Sequence, residues 1–385
     1  MKRQQIALDA RRMARKRWEG IGHYVGALAS RLPTLAPEME FLLLTDHPLD
    51  TDKVPKGCKQ VVLGQAYVEG SNQAKAYSPF WMNFLVPRFL VREGVSLFHG
   101  TNYAMPVVGR TACVVTVHDI AFVRVPKTFS LLHRSYLRSL VSLGVRRADH
   151  VVVGSRAARD DLIQMGGVDL GRLSVIHHGT DEGFSTCNDD SYLTHVRESF
   201  GLAPRYVLHV GVVEAKKNIE TILRACAPLI QEHCVDEVVL AGRSGRGVES
   251  VRLLARQLNL ERKVRFLGYV PQDDMRGLYT LASALVFPSW FEGFGLPVLE
   301  AMACGTPVVA SNSSSLPEVV GDAALLFPPE SSDALRVALS RVLSDAVLRS
   351  RLIANGFSRA REFSWDESAR KHMNVYRRVL ADINQ

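Results

Sequence analysis

The sequence runs to 385 residues, 47% hydrophobic and 22% charged, with a formal net charge of +8, which fits two globular domains with full cores and excludes a disordered or fibrous chain. Its six cysteines, Cys58, Cys113, Cys187, Cys226, Cys234 and Cys304, include no Cys-x-x-Cys pair; that excludes the usual zinc and disulfide frameworks and points to a reducing, cytoplasmic setting. No stretch reaches the ~18 uninterrupted apolar residues of a membrane span, and the first residues lack a signal peptide's apolar core, so any membrane contact is expected at its surface.

Gln4 to Asp9 reads as a strand, followed by a loop with five cations, Arg11, Arg12, Arg15, Lys16 and Arg17, and then by Gly20-Ile21-Gly22 opening a helix that runs to about Leu32. Strand, glycines and helix form a geometry in which backbone approaches phosphate, and the cations are read as a hold on a lipid-linked pyrophosphate. Phe41 to Leu44 is a second strand. Asp50-Thr51-Asp52 follows a proline and precedes lysines, so it reads as a solvated loop and no metal is expected. Phe80, Trp81, Phe84, Leu85, Phe89 and Leu90 interleave with Arg88 and Arg92 at roughly helical spacing, either a core stripe or an interfacial one. A second basic helix runs from His133 to Arg147.

Val95–His99 and Cys113–Val117 are short strands that end in His99-Gly100-Thr101-Asn102 and His118-Asp119. Ligands bind at the carboxyl ends of strands in open α/β sheets, so both histidines fall where chemistry would occur. Strands at His150–Val153 and from Leu173 complete a first domain, and the polar run Ser185–Ser191 reads as a linker whose aspartates serve solubility. Residues 1–185 carry 24 Lys+Arg against 16 Asp+Glu, while the remainder is balanced at 23 against 23. A basic first half calls for an anionic partner, whether nucleic acid, an acidic bilayer or a phosphorylated acceptor.

Tyr206–Gly211 opens a second domain as a buried strand. Glu214-Ala215-Lys216-Lys217-Asn218 follows, placing two lysines at a strand-to-helix junction, where they oppose the helix dipole unless a diphosphate pairs with them. A strand at Val238–Ala241, with Gly242 and Arg243 in the turn beyond, and the segment Val264–Val270 lead to the most informative stretch. There the strand Ala284–Phe287 is followed by Pro288 to Pro307, and Val308–Ala310 forms the next strand. Pro297 suits a first helical turn and Gly305 a left-handed helix stop. Gly293 and Gly295 let backbone approach a ligand at the helix N-terminus, an anion site. Glu292 and Glu300 flank it, and carboxylates beside a phosphate are favourable only where hydroxyl groups donate to them. The ligand expected is phosphorylated and rich in hydroxyls: a sugar nucleotide.

The order Pro-Ser-x-x-Glu-Gly-Phe-Gly-Leu-Pro-x-Leu-Glu-Ala-Met-Ala-x-Gly-x-Pro-Val-Val from Pro288 to Val309 resembles the signature of the family-four retaining glycosyltransferases. The resemblance implies an α/β chain of GT-B architecture, with two Rossmann-like doubly wound domains facing a cleft. It puts an acceptor domain at residues 1–185, joined by a returning helix 366–385, and a donor domain at 200–365. It implies that Glu300 binds the ribose, that Glu292 lies against the donor sugar, and that His118, with Asp119 as its pair, approaches that sugar from the first domain. Lys217 matches the family lysine, while Lys216 stands where an arginine is usual. Gly20 and Gly22 match a glycine-rich loop facing the cleft, and Tyr269 and Val270 the segment whose backbone reads the nucleobase. Arg243, Gly293, Phe294, Gly295 and Leu296 complete the donor set, and Arg15, Lys16 and Arg17 the acceptor and membrane set.

The expected activity is transfer of a hexose, mannose from GDP-mannose, to a lipid-linked oligosaccharide in surface polysaccharide synthesis. The enzyme would be metal-independent, without cofactor, and would work on the inner, anionic face of the cytoplasmic membrane. The alternatives are a UDP-sugar or GDP-deoxyhexose donor, a sugar-nucleotide epimerase on the same fold, and a nucleotide-sensing subunit. Nucleic-acid binding has no recognised motif.

Overall fold

Short apolar runs bounded by glycine, proline or polar turns give this chain strands buried on both faces, the pattern of parallel sheets covered by helices. A computed structural model describes residues 3–15, 18, 20–64 and 78–383. Two compact units result: Met1–Val123, Phe129–Gly179 and Trp365–Gln385 form the first, Arg124–Thr128 and Thr180–Ser364 the second. The chain therefore passes between units on either side of Arg124–Thr128, at Gly179, ahead of the expected linker, and again at Ser364. Asp189, expected to serve solubility, is the N-cap of the helix Asp190–Phe200, its Oδ1 accepting from the Ser191 and Tyr192 amides at 3.0 and 3.1 Å.

The first unit holds a seven-stranded parallel sheet of β1 (Gln5–Asp9), β2 (Glu40–Thr45), β3 (Cys58–Val62), β4 (Leu97–Gly100), β5 (Ala112–Val117), β6 (His150–Val153) and β7 (Leu173–Val175), in the order β3-β2-β1-β4-β5-β6-β7. The second holds β8 (Tyr206–Val210), β9 (Glu237–Ala241), β10 (Val264–Gly268), β11 (Ala284–Phe287), β12 (Val308–Ser311) and β13 (Ala324–Phe327), in the order β10-β9-β8-β11-β12-β13. Each sheet reverses its direction of growth once, between β1 and β4 and between β8 and β11. Such a switch opens a crevice at the strands' carboxyl ends. Both sheets are doubly wound and together give the GT-B fold.

The aromatic stripe divides. Trp81, Phe89 and Leu90 are buried, with the Trp81 indole donating to the Leu63 carbonyl at 2.9 Å and the Arg11 guanidinium 4.2 Å above its ring. Phe80 and Phe84 are exposed and stack on each other.

The helix Trp365–Ile383 belongs to the first unit and is tied there by a directed hydrogen-bond chain. The Ser368 carbonyl can only accept, so His372 donates to it from Nδ1 (2.8 Å), which leaves Nε2 to accept from the Tyr24 hydroxyl (2.8 Å). Tyr24 Oη in turn accepts from Thr116 (2.8 Å), Thr116 Oγ1 from His99 Nε2 (2.8 Å), and His99 Nδ1 from Tyr376 (2.7 Å). Every member is buried, and each donor has one acceptor only while both imidazoles stay neutral. Burial keeps them so: it holds the pKa of His99 well below the usual value and that of His372 at about 4. Neighbouring His118 and His178 are depressed for the same reason.

Unfolded histidines titrate near ~6.5, so the folded unit binds fewer protons than the unfolded chain below that pH. The stabilisation is complete above about pH 6.5 and is lost as pH falls toward 4, by up to ~1.4 kcal/mol per pH unit for each histidine. Thermal unfolding followed by calorimetry is expected to show a melting temperature that drops steeply across this window. A flat profile would rule out the neutral chain. Tyr24→Phe is expected to cost roughly 1–3 kcal/mol at neutral pH, because His372 Nε2 loses its donor.

Candidate active site

Lys217 follows β8 and Glu292 follows β11, the two strands that flank the switch in the second sheet. The loops carrying them are stitched together. Asn218, held at φ +54°, donates from Nδ2 to the Pro288 carbonyl (3.1 Å) and the Pro329 carbonyl (2.7 Å), while the Trp290 amide donates to the Lys216 carbonyl (3.0 Å). Lys217 Nζ then meets Glu292 Oε1 at 2.6 Å and stands 5.1 Å from the centre of the Phe287 ring. Their side chains retain 14% and 10% exposure. Burial alone would raise the Glu292 pKa, but the ammonium groups of Lys217 and Lys216 outweigh it and hold the carboxyl below the usual range.

A run of serines fixes the Glu292 loop. The Glu292 amide donates to Ser314 Oγ (2.8 Å), Ser315 Oγ lies 3.0 and 2.8 Å from the Glu292 and Phe294 carbonyls, and Ser311 and Ser313 donate to the Ser289 carbonyl at 2.7 and 2.9 Å. Sequence reading gave these serines no such role, because the bonds bridge loops some 22 residues apart in sequence.

The helix Leu296–Ala303 has Gly295 as its N-cap at φ +112° and Pro297 in its first turn, and Gly305 follows its end at φ +79°. A side chain at Gly295 would also strike Leu316 at 2.9 Å. On this helix Glu300 Oε2 accepts from the buried Tyr279 hydroxyl at 2.7 Å. Burial raises its pKa to about 7; the Tyr279 hydrogen bond opposes that and the charge of Asp181 adds to it. Tyr279 lies inside the helix Gln272–Leu281, with no local sequence signal that marks it as the carboxylate's partner.

The remaining donor positions differ in what they can offer. Phe294 turns its ring into the core against Phe363, centroids 5.7 Å apart, and Val270 is buried, so only their backbones face outward chemistry. Tyr269 and Arg243 are exposed, and Gly293, Leu296 and Lys216 are partly so. Gly211, Gly242 and Gly268 end the three neighbouring strands at φ +143°, +149° and +69°. A side chain at Gly242 would fall 1.9 Å from the Gly211 carbonyl oxygen, so these strand ends close on each other through bare backbone.

In the first unit, His118 follows β5 and donates from Nε2 to the Thr101 carbonyl at 2.8 Å, leaving Nδ1 as its acceptor. Burial lowers its pKa, so the ring is neutral. Asp119 Oδ1 accepts from the Ala121 amide (2.9 Å) and so caps the turn after it. Gly20 is exposed, whereas Gly22 is buried, with a β-carbon position 3.1 Å from the Arg12 carbonyl oxygen and 3.2 Å from Trp18, so packing within the unit also requires glycine there. Arg15 is paired with the buried Asp46 carboxylate at 3.2 Å. Lys16 and Arg17 lie outside the described residues. Asp50 pairs with Lys53 at the Asp50-Thr51-Asp52 turn, and the described residues include no group of three His, Cys, Asp or Glu able to hold a metal.

Residues 195–359 match the family model described as Glycosyl transferases group 1, and residues 18–184 the model described as Glycosyltransferase Family 4. The O-antigen chain mannosyltransferase B of Escherichia coli is 32% identical over 372 residues, covering 93% of this chain and 96% of the relative. This chain is a group 1 glycosyltransferase. The serotype-specific mannosyltransferase WbdA of Escherichia coli is 30% identical over 240 residues, 61% of this glycosyltransferase but 29% of that longer protein. Among solved structures, sucrose-phosphate synthase of Thermosynechococcus elongatus superposes with a TM-score of 0.81 at 25% identity over 99% of this chain and all of that one. HepE of Anabaena, in complex with UDP and glucose, reaches 0.75 at 21% identity over 97% and 99%, a likeness of fold.

Removing one partner of the Lys217–Glu292 pair strands the other charge in a nearly dry setting, which typically costs 3–5 kcal/mol. Lys217→Ala and Glu292→Ala are each expected to destabilise the glycosyltransferase by roughly 3 kcal/mol, and the double variant by clearly less than the sum. Urea unfolding of the four proteins measures this, and additive losses would mean the charges are not coupled.

Proposed function

We propose that this glycosyltransferase is a retaining mannosyltransferase that moves mannose from GDP-mannose to a lipid-linked oligosaccharide during surface polysaccharide synthesis, without a metal ion. The observation that carries the reading is the nearly full-length likeness to an O-antigen mannosyltransferase in a chain whose Lys217, after β8, pairs with Glu292, after β11, and whose Glu300 lies on the helix that follows. Lys217, Lys216 and the first-turn amides after Gly295 balance the diphosphate as it leaves, the kind of charge stabilisation worth several kcal/mol. Glu300 uses Oε1, the oxygen not engaged by Tyr279, for the ribose hydroxyls. Glu292 orients the sugar, and His118 receives one of its hydroxyls at Nδ1. With retention, the C1–oxygen bond to the diphosphate breaks and the acceptor hydroxyl bonds C1 on the same face. Its proton passes to the departing phosphate oxygen.

The enzyme works in the cytoplasm at the inner face of the membrane. No helix among the described residues is long and apolar enough to cross one. Leu131 and Leu132, 78% and 87% exposed, open a helix that carries Arg134 and Arg138, a pairing of apolar and cationic groups that suits an anionic bilayer surface.

A panel of GDP- and UDP-sugars scored by thermal shift and by hydrolysis tests the donor, since a ligand bound only to the folded chain raises its melting temperature. GDP-mannose is expected to lead; a UDP-sugar in front would move the donor assignment, and an epimerised nucleotide formed without acceptor would replace transfer altogether. Ribose hydroxyls favour the ionised Glu300, so GDP affinity is expected to fall up to tenfold per pH unit below about 7, and Glu300→Gln is expected to flatten that dependence. Vesicles rich in anionic lipid are expected to retain the wild type and to release Leu131→Asp/Leu132→Asp. Equal retention would exclude this helix as the contact.

A further inference from the structure

His209 occupies the next-to-last position of β8, fully buried, where every neighbouring strand residue is apolar. Its Nδ1 faces the Val286 carbonyl at 3.1 Å. A carbonyl only accepts, so Nδ1 carries the hydrogen and Nε2 is left as an acceptor. Nε2 has no hydrogen-bond partner among the described residues, a costly state for a buried polar atom.

The direction in which Nε2 points is fixed by its neighbours. The imidazole stacks on Phe287 with centroids 5.7 Å apart, the same ring against which the Lys217 ammonium lies. A β-carbon built on Gly211 would stand 3.7 Å from His209 Nε2 and also 3.7 Å from Lys217 Nζ. At φ +143° this residue is a glycine for conformational reasons as well. An acceptor and a donor therefore converge on one spot beside Gly211, next to the Lys217–Glu292 pair. An atom that satisfies both must accept from the ammonium and donate to the imidazole. A hydroxyl oxygen does so; an ionised phosphate oxygen has no hydrogen to give.

We propose that His209 is a donor-specificity residue: with Lys217 it receives one hydroxyl of the transferred sugar, accepting that hydroxyl's hydrogen at Nε2. This rests on the glycosyltransferase reading of the Lys217–Glu292 site and adds to it a residue that selects for a hydroxyl at one ring position. Burial holds the imidazole pKa at about 4, which keeps Nε2 an acceptor throughout the neutral range. A sugar lacking that hydroxyl would leave the buried acceptor unpaired, the situation in which binding sites discriminate most strongly.

The test compares GDP with GDP-mannose and its monodeoxy analogues on the full-length wild type, His209→Leu and His209→Gln. The wild type is expected to lose tenfold or more in kcat/KM with one deoxy analogue. His209→Leu is expected to bind GDP as the wild type does, to bind GDP-mannose at least tenfold more weakly, and to be indifferent to that same missing hydroxyl. His209→Gln, which keeps an oxygen acceptor, is expected to recover part of the loss. If His209→Leu weakens GDP and GDP-mannose equally, the residue acts only through Lys217 or the fold, and the proposal is overturned. It is also overturned if every deoxy analogue ranks alike in wild type and His209→Leu, which would make the contact a water site. Failure of the wild type to bind GDP or any sugar nucleotide would overturn the underlying reading along with it.

Discussion

The ammonium of Lys217 and the carboxylate of Glu292 meet because the second sheet reverses its strand order between β8 and β11. Loops that leave adjacent strands in opposite directions across such a switch leave a gap between them, and here the gap is bridged by a nearly buried ion pair. The rest of the site is arranged to hold it. Asn218 ties the lysine's loop to the carbonyl of Pro288, the serines from Ser311 to Ser315 fasten the glutamate's loop, and glycines at three strand ends let the backbone close beneath. An ion pair of this burial is not a large source of net stability, since desolvation offsets most of its attraction. Its use is positional: Lys217 holds Glu292 at a fixed place and keeps its carboxyl below the usual range.

That pairing also sets the electrostatics of ligand binding. Lys217 and Lys216 hold the Glu292 carboxyl below its usual range against burial, while burial raises Glu300, despite its Tyr279 hydrogen bond, to about 7. Two carboxylates on one strand–loop–helix unit are thus driven apart in pKa by their surroundings, Glu292 downward and Glu300 up to about 7. In the proposed transfer a diphosphate would meet a Lys217 charge already shared with a carboxylate, so Lys216 and the backbone amides would carry part of the neutralisation. An ammonium has three donors and Glu292 takes one, so sharing between acid and phosphate is stereochemically ordinary.

Much of this was legible in the sequence because it is local. The strand Ala284–Phe287, the proline at the helix start and the glycine after its end are recorded in consecutive residues, and the structure reproduces them nearly residue for residue. Six of the seven strands of the first half were likewise visible as apolar runs, within a residue or two, whereas β3, whose Cys58-Lys59-Gln60-Val61-Val62 lacks such a run, was not read. What the sequence withheld are partnerships between distant segments. Tyr279 reaches Glu300 from another helix, and Asp46 claims Arg15 from the end of β2, so a cation that looked available for a partner is engaged at home. The stripe from Phe80 to Leu90 has a helical spacing that fits core and surface equally, and only packing sorted Trp81 inward and Phe84 outward. His209 was passed over inside a strand, although one imidazole in an otherwise apolar central strand was the signal that could have marked it.

The two units face the same topological situation and resolve it differently. In the first, Asp9 ends β1 at the switch and is gripped by Arg11 through both carboxylate oxygens, at 2.9 and 2.7 Å, while the Asp9 carbonyl accepts from Thr101 at 2.6 Å. The Arg11 guanidinium lies on Trp81 and bonds Ser78, so the charge at that strand end is consumed internally. In the second, the same place beside the reversal holds Gly211, and beside it an imidazole nitrogen and the ammonium that pairs with Glu292 converge. The fold thus closes one switch with its own side chains and lines the other with glycine, an unpaired imidazole nitrogen and a carboxyl raised to about 7. The first unit keeps a neutral histidine, His118, as the polar group its strand ends can offer to chemistry.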